Sequence, residues 1–199
     1  MTDSGNNPFD KQISNRNYLS PLGFKLVISK IPKVDFLCQS ASIPAISMGT
    51  AVQPTYLKDI PVAGDKCVYD DLTVRFIIDE NMENYLSLNS WIVGLGQPES
   101  LQQYRQLEDI GPKQRQRAGT DPRYIEFSDA TLQILNSNFQ PNINIVFRDL
   151  FPISVSTLEF DASQRDYTYF TCEATFKYTL YTISNKNGKR LDNNPDLFR

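Results

Sequence analysis

Residues 69–94 read YDDLTVRFIIDENMENYLSLNSWIVG, and two periodicities meet inside them. From Tyr69 to Ile78 the side chains alternate. Leu72, Val74, Phe76 and Ile78 point one way, and Asp71, Thr73, Arg75 and Ile77 the other, the period of a strand with one face in a core. At Asp79 the period changes. Asp79 stands where a helix N-cap belongs, and Glu80 and Glu83 suit the positive end of the helix dipole. Met82, Tyr85, Leu86, Asn89 and Ile92 then follow helical spacing, with Leu88 and Trp91 widening the stripe, until Gly94, Gly96 and Pro98 end it. The spacing predicts a helix over residues 80–94.

Working outward, the other periodic stretches are strands. Leu22, Phe24, Leu26 and Ile28 share one face, and Val34 to Ser42 reads as a second strand in a hairpin with the first across Ile31-Pro32-Lys33. Ala130 to Leu135 follows, then a strand through Ile143, Ile145 and Phe147. In the next strand the parity slips, from Ile153 and Val155 to Leu158 and Phe160, which predicts a β-bulge. Tyr169 to Thr182 reads as one long closing strand with Phe170, Cys172, Ala174, Phe176, Tyr178 and Leu180 on one face. These elements make the fold mainly β: an antiparallel sandwich or barrel of about seven strands with one packed α-helix.

Three stretches lack that order. Residues 1–20 are polar and read as a flexible N-terminal arm, and 184–199 as a polar C-terminal tail. Between them, residues 21–183 form a single domain carrying a polar, Gln-rich insertion at 97–128, with a short helix near 100–108. The third, Ile43 to Val62, is broken by Pro44, Pro54 and Pro61, yet it holds Ile46, Met48, Val52, Tyr56 and Leu57. A long loop with this much apolar surface needs a cover. Either it folds over its own core or a neighbouring subunit covers it, and composition does not separate the two.

Composition limits the chemistry. The chain has 199 residues, 40% hydrophobic and 22% charged, enough for one domain with a real core. The net charge of −3 offers no basic excess for duplex binding, and the Lys113, Arg115, Arg117 cluster reads as a solvated loop. With no histidine and three scattered cysteines, neither a Ser-His relay nor a zinc site can be assembled. Cys172 sits among Phe170, Ala174 and Phe176 as a small core residue. Asp70 and Asp71 are adjacent on a strand and diverge, so they do not form an acid/base pair. Phosphate-loop, dinucleotide and calcium-loop spacings are missing. The expectation is a protein that is not an enzyme, with no catalytic residue, metal or cofactor. No run of apolar residues reaches the length of a membrane span.

Residues 59–91, DIPVAGDKCVYDDLTVRFIIDENMENYLSLNSW, resemble the tail tube protein family of contractile-tailed bacteriophages. In that family a Pro-containing strand leads into an Ala-Gly-Asp turn, an aromatic-Asp-Asp strand, an acidic helix start and a Trp. Here those are Pro61, Ala63, Gly64, Asp65, Tyr69, Asp70, Asp71, Asp79 and Trp91. Upstream, Phe36 to Ala45 is similar to the family's hairpin strand. Leu72 departs from the Trp common at that place, and the 97–128 insertion and the tail exceed a minimal tube subunit. The resemblance implies a structural subunit forming hexameric rings, stacked head to tail around a continuous inner barrel. It implies sheath and baseplate partners, viral DNA passing the lumen without specific binding, a place in the virion tail and assembly in the host bacterial cytoplasm. It also implies that the motif residues lie at a subunit interface and that the 43–62 loop packs on the adjacent ring. The same fold serves a tube-initiating baseplate protein and the tube of a phage-derived contractile injection system. A different class, a nucleic-acid-binding β-barrel, would use Tyr169, Lys177 and Tyr181 on the outer face of the last strand.

Overall fold

Leu72, Val74 and Phe76 are completely buried, as their alternation requires. The computed structural model describes residues 17–31, 37–107, 126–161, 163 and 169–192. In chain order these give β1 (Phe24–Ile28), β2 (Cys38–Ala41), β3 (Ile46–Gln53), β4 (Ile60–Tyr69), β5 (Leu72–Ile77), α1 (Glu83–Gly96), α2 (Leu101–Gln106), β6 (Ser128–Leu135), β7 (Pro141–Val155), β8 (Thr171–Lys177) and β9 (Leu180–Asn185). Most of the N-terminal arm, the basic cluster near 115 and the last seven residues lie outside the described residues.

Every strand pairing is antiparallel, and β7 is the spine. Its first half pairs with β6 and β9, and its second half with β8. One arm of the sheet therefore runs β1-β6-β7-β9 and the other β7-β8-β5-β2. Between the halves Asp149 takes φ 54 and the register with β6 shifts. The parity slip thus falls between buried Phe147 and buried Leu150, earlier than the sequence pattern placed it; a second shift lies at Pro152/Ser154. The two arms enclose Leu26, Leu132 and Phe147 from one side and Phe76, Ala174 and Phe176 from the other, with Leu88 and Trp91 of α1 in the same core. This is the expected sandwich with a packed helix. It is not a closed barrel, because β1 and β2 end the hydrogen-bonded path without pairing to each other.

Several local expectations are corrected. β1 and β2 do not form a hairpin: β1 pairs with β6, and β2 covers the free edge of β5. Residues 29–37 separate them, too many for a tight turn, and Ile31 among them is drawn into the core. Leu22 lies outside β1 and is exposed. The closing strand is broken at Tyr178 and Thr179, although its alternation continues through buried Thr182 and Ser184. Residues 184–191 fold back, with the Leu191 N–H donating to the Ile183 carbonyl at 2.8 Å.

The helix also differs. It begins at Glu83, after a turn in which Met82 takes φ 55. Asp79 still serves it, since its carboxylate accepts the Asn84 N–H at 3.3 Å. The buried stripe is Asn84, Leu88, Trp91 and Gly94, whereas Leu86 is exposed. Asn84 occupies a core position because its amide donates to the Ile77 carbonyl at 2.8 Å, tying the end of β5 to the helix. Gly94 does not end α1. A Cβ there would stand 2.4 Å from Leu107 Cδ2, so its bareness lets α2 pack close. The helix stops at Gln97, in the left-handed conformation, whose N–H returns to Val93 at 2.8 Å.

Candidate assembly surface

Ile43 to Val62, read from sequence as a proline-broken loop, is mostly a β-hairpin. Among the described residues β3 and β4 pair only with each other, as a two-stranded sheet apart from the main one. All residues of β3 are exposed, and in β4 only Gly64 and Tyr69 are not. Eight large apolar side chains are exposed here: Ile46, Met48, Val52, Tyr56, Leu57, Ile60, Val62 and Val68. Tyr56 and Leu57 sit at the tip, in a turn closed by Thr55 Oγ1 and the backbone of Lys58. The segment does not fold over its own core. An isolated two-stranded hairpin is at best marginally stable in water, so a surface like this one calls for a cover.

The Ala63-Gly64-Asp65 stretch is not a turn. It is a bulge inside the hairpin: Met48 faces Cys67 and Thr50 faces Ala63, so Gly64, Asp65 and Lys66 all stand opposite Gly49. A Cβ on Gly64 would meet the Gly49 carbonyl oxygen at 2.4 Å, whereas one on Gly49 meets nothing within 4 Å. Gly64 is thus the residue that lets the strands approach. Pro61 faces Val52 and is tolerated because β4 has a free edge for its missing N–H.

Tyr69, Asp70 and Asp71 join the hairpin to the body. The Asp70 N–H donates to the Ala45 carbonyl at 3.0 Å, closing the base. The Tyr178 hydroxyl donates to the Asp70 carbonyl at 2.8 Å, and the Tyr181 hydroxyl to the Pro44 carbonyl at 3.4 Å. The Tyr69 ring meets those of Tyr178 and Tyr181 edge-on at 6.2 and 5.5 Å, and both of these pack on buried Phe147. Burial, then the neighbouring Tyr181, Tyr69 and the two aspartates, hold the Tyr178 phenol well above its ordinary range, so it stays a neutral donor. Asp71 pairs with Lys177 at 2.6 Å on the surface. The Asp-Asp motif therefore caps a joint. Sequence reading placed Tyr178 and Tyr181 on the closing strand but did not connect them to this joint, because their backbone partners lie more than a hundred residues upstream.

Trp91 makes none of the contacts of this joint. It is fully buried, its Nε1–H donates to the Glu126 carbonyl at 2.9 Å, and Lys30 Nζ stands 4.9 Å from its ring centre. The face proposed for nucleic acid is dispersed: Tyr181 turns into the aromatic cluster, Lys177 pairs with Asp71, and Tyr169 lies at the far end of β8. Among the described residues no group of carboxylates and thiols could hold a metal, and no helix is long and apolar enough to cross a membrane.

Comparison with known proteins agrees with the fold. The chain is 30% identical over 155 residues to the tail tube terminator protein of Enterobacteria phage T4, covering 76% of this chain and 78% of that protein. It resembles a chain of the PVC sheath–tube complex of an extracellular contractile injection system in the extended state, with TM-score 0.53 and 13% identity over 84% of this chain and 92% of the other. It also resembles a chain of the tube-terminating cap of the anti-feeding prophage, with TM-score 0.53 and 14% identity over 90% of this chain and 99% of the other. Those two likenesses establish the architecture. The sequence model of phage tail tube proteins matches residues 8–184, and the chain belongs to that family of structural tail components.

Proposed function

We propose that this protein is a ring-forming component of a phage tail tube that closes the end of the tube. The observation that carries the ring-forming part is the β3–β4 hairpin: an element with exposed apolar side chains on both faces, held to the body at one joint. Copies meeting through unlike surfaces form a ring when the rotation closes, and the family's rings close at six. In that arrangement the hairpin packs on the adjacent ring, with Ile46, Met48, Val52, Tyr56 and Leu57 in the contact. Pro61, Ala63, Gly64, Asp65, Tyr69, Asp70 and Asp71 shape the hairpin and its joint, while Trp91 supports the core behind them. The name of the T4 relative, tail tube terminator protein, supports the terminal position. The partners are then the last tube ring and the sheath, and DNA passes the lumen without specific binding. A net charge of −3 supports a lumen that is neutral to acidic.

The family match favours a second reading, the repeating tube subunit. Electron microscopy separates the two. Labelled protein added to preformed tubes should appear at one end only, and alone it should give single rings. Long stacks of the protein by itself would establish the repeating subunit. No ring and no tube binding, at any concentration, would refute both. A channel lined mainly by Lys and Arg would refute the lumen assignment.

A further inference from the structure

Two apolar features lie at opposite ends of the β8–β9 ribbon. At one end, beyond β5 and before β8, an open depression of about 640 Å³ is lined by Leu37, Ile77, Met82, Leu158, Phe160 and Phe170. Phe160 is 75% exposed and stacks obliquely on Phe170 at 4.7 Å. Asp79 and Glu80 form part of the wall, so the rim is acidic. At the other end is the β6–β7 turn. Asn136 organises it, its carboxamide oxygen accepting the N–H groups of Asn138 and Gln140 at 2.9 and 3.0 Å. The turn holds Phe139 at φ 57, 73% exposed. Exposed Leu22 is at the same end, next to Gly23, whose carbonyl accepts the Leu135 N–H at 2.8 Å. So are Lys186, whose N–H donates to the Asn142 carbonyl, and Lys189, whose carbonyl accepts the Asn185 N–H.

A bulky non-glycine residue at positive φ is a backbone outlier, and such outliers gather where strain serves a contact. Met82, at φ 55 in the depression, is a second one. From the bend at Asp149, seven residues of β7 lead back to Pro141 and seven of β8 lead from Lys177 to Phe170. Each arm is thus about 23 Å long, and no residue of the β6–β7 turn lines the depression of its own chain.

From this we infer that the Phe139 turn of one copy seats in the Phe160–Phe170 depression of a second copy, with Lys186 and Lys189 against Asp79 and Glu80. The occupant is the same chain because the two ends are complementary in apolar character and in charge, an apolar knob with a basic flank against an apolar hollow with an acidic rim. Two unlike ends joined this way make a head-to-tail contact that adds copies in one direction and closes when the rotation allows. The inference rests on the ring-forming reading and names a contact within it that the hairpin does not supply.

The test uses the full chain with Cys38→Ser and Cys67→Ser and with the buried Cys172 kept. A Phe139→Cys chain mixed with a Phe160→Cys chain should form a disulfide-linked mixed dimer under mild oxidation, and neither should cross-link alone. Phe139→Asp should weaken self-association in sedimentation velocity by at least about tenfold, a difference of about 1.4 kcal/mol, with an unchanged circular dichroism melt. Glu80→Lys should weaken it similarly, and adding Lys186→Glu should restore it. Absence of the mixed dimer at about millimolar protein, or dominant Phe139→Cys homodimers, overturns the contact. Phe139→Asp chains that still build wild-type rings overturn the contact but leave the tube reading standing. A wild-type chain that forms no ring, alone or on tubes, overturns the reading and the contact together.

Discussion

Replacing Gly64 with alanine should disable the hairpin and spare the body. The added Cβ would lie 2.4 Å from the Gly49 carbonyl oxygen and 2.8 Å from its carbon. Both are backbone atoms, so no rotamer relieves the clash; the strands must separate at the bulge. Forced overpacking of this kind costs about 1–3 kcal/mol. A two-stranded sheet has little stability of its own to lose, so a cost of that size should open the hairpin locally. No residue of β3 or β4 belongs to the buried core, so the global melt should move by no more than a degree or two. Hydrogen exchange should show it: amides of residues 46–69 lose protection while those of β5 and β8 keep theirs. Ring formation or tube binding should fall in parallel. Gly49→Ala is the control, since its Cβ meets nothing within 4 Å, and it should leave protection and assembly intact. The reasoning is refuted if Gly64→Ala keeps hairpin protection, or if Gly49→Ala is the more damaging of the two.

Trp91→Ala should cost about 3–5 kcal/mol in urea unfolding, as a full-sized aromatic leaves the core and its indole hydrogen bond is lost, without affecting the Tyr69 joint. Lys30 is buried against Trp91, and desolvation, partly offset by Glu126, lowers its pKa to about 8. The unfolded chain therefore binds one more proton than the folded chain between pH about 8 and about 10.4, and stability should rise with pH there by up to ~1.4 kcal/mol per unit. Lys30→Met, compared with wild type by denaturant titration at pH 7.5 and 9.5, should remove that rise; an equal slope in both would contradict the assignment. A thiol reagent should label exposed Cys67 first. Cys172, buried and with its thiol pKa raised mainly by that burial, should react only on unfolding. Labelling of Cys172 at the Cys67 rate would show that the β8 core opens.

Strands with one face in the core were legible, and those without were not. β5 announces itself because Leu72, Val74 and Phe76 must all be hidden. β3 and β4 bury neither face, so nothing selects for alternation; Pro54 and Pro61 read as breakers and Gly64 as part of a turn, when they are in fact a turn, an edge position and a bulge. The motif residues were found, but the role of Gly64 depends on a strand fifteen residues upstream. The stripe of α1 was misjudged by about one residue's rotation, since a buried Asn84 satisfied by Ile77 looks polar in the sequence and Leu86 looks like core. Pairing was the weakest inference. That β1 joins β6 across roughly a hundred residues follows from the shape of the finished core, not from local pattern.

The joint at Tyr69 and Tyr178 has a mechanical meaning. It sits level with the break between β8 and β9 and the bend at Asp149, so both arms of the sheet and the hairpin meet at one corner. The hairpin is a lever with its fulcrum there. β4 has ten residues, so the lever is about 30 Å long, and a rotation of about 5° at the corner displaces Tyr56 by roughly 2.6 Å. That is enough to unseat an aromatic side chain from a neighbour. A small change in the angle between the two arms would thus be amplified at the tip, and in the proposed ring stack it would pass the state of one subunit to the next.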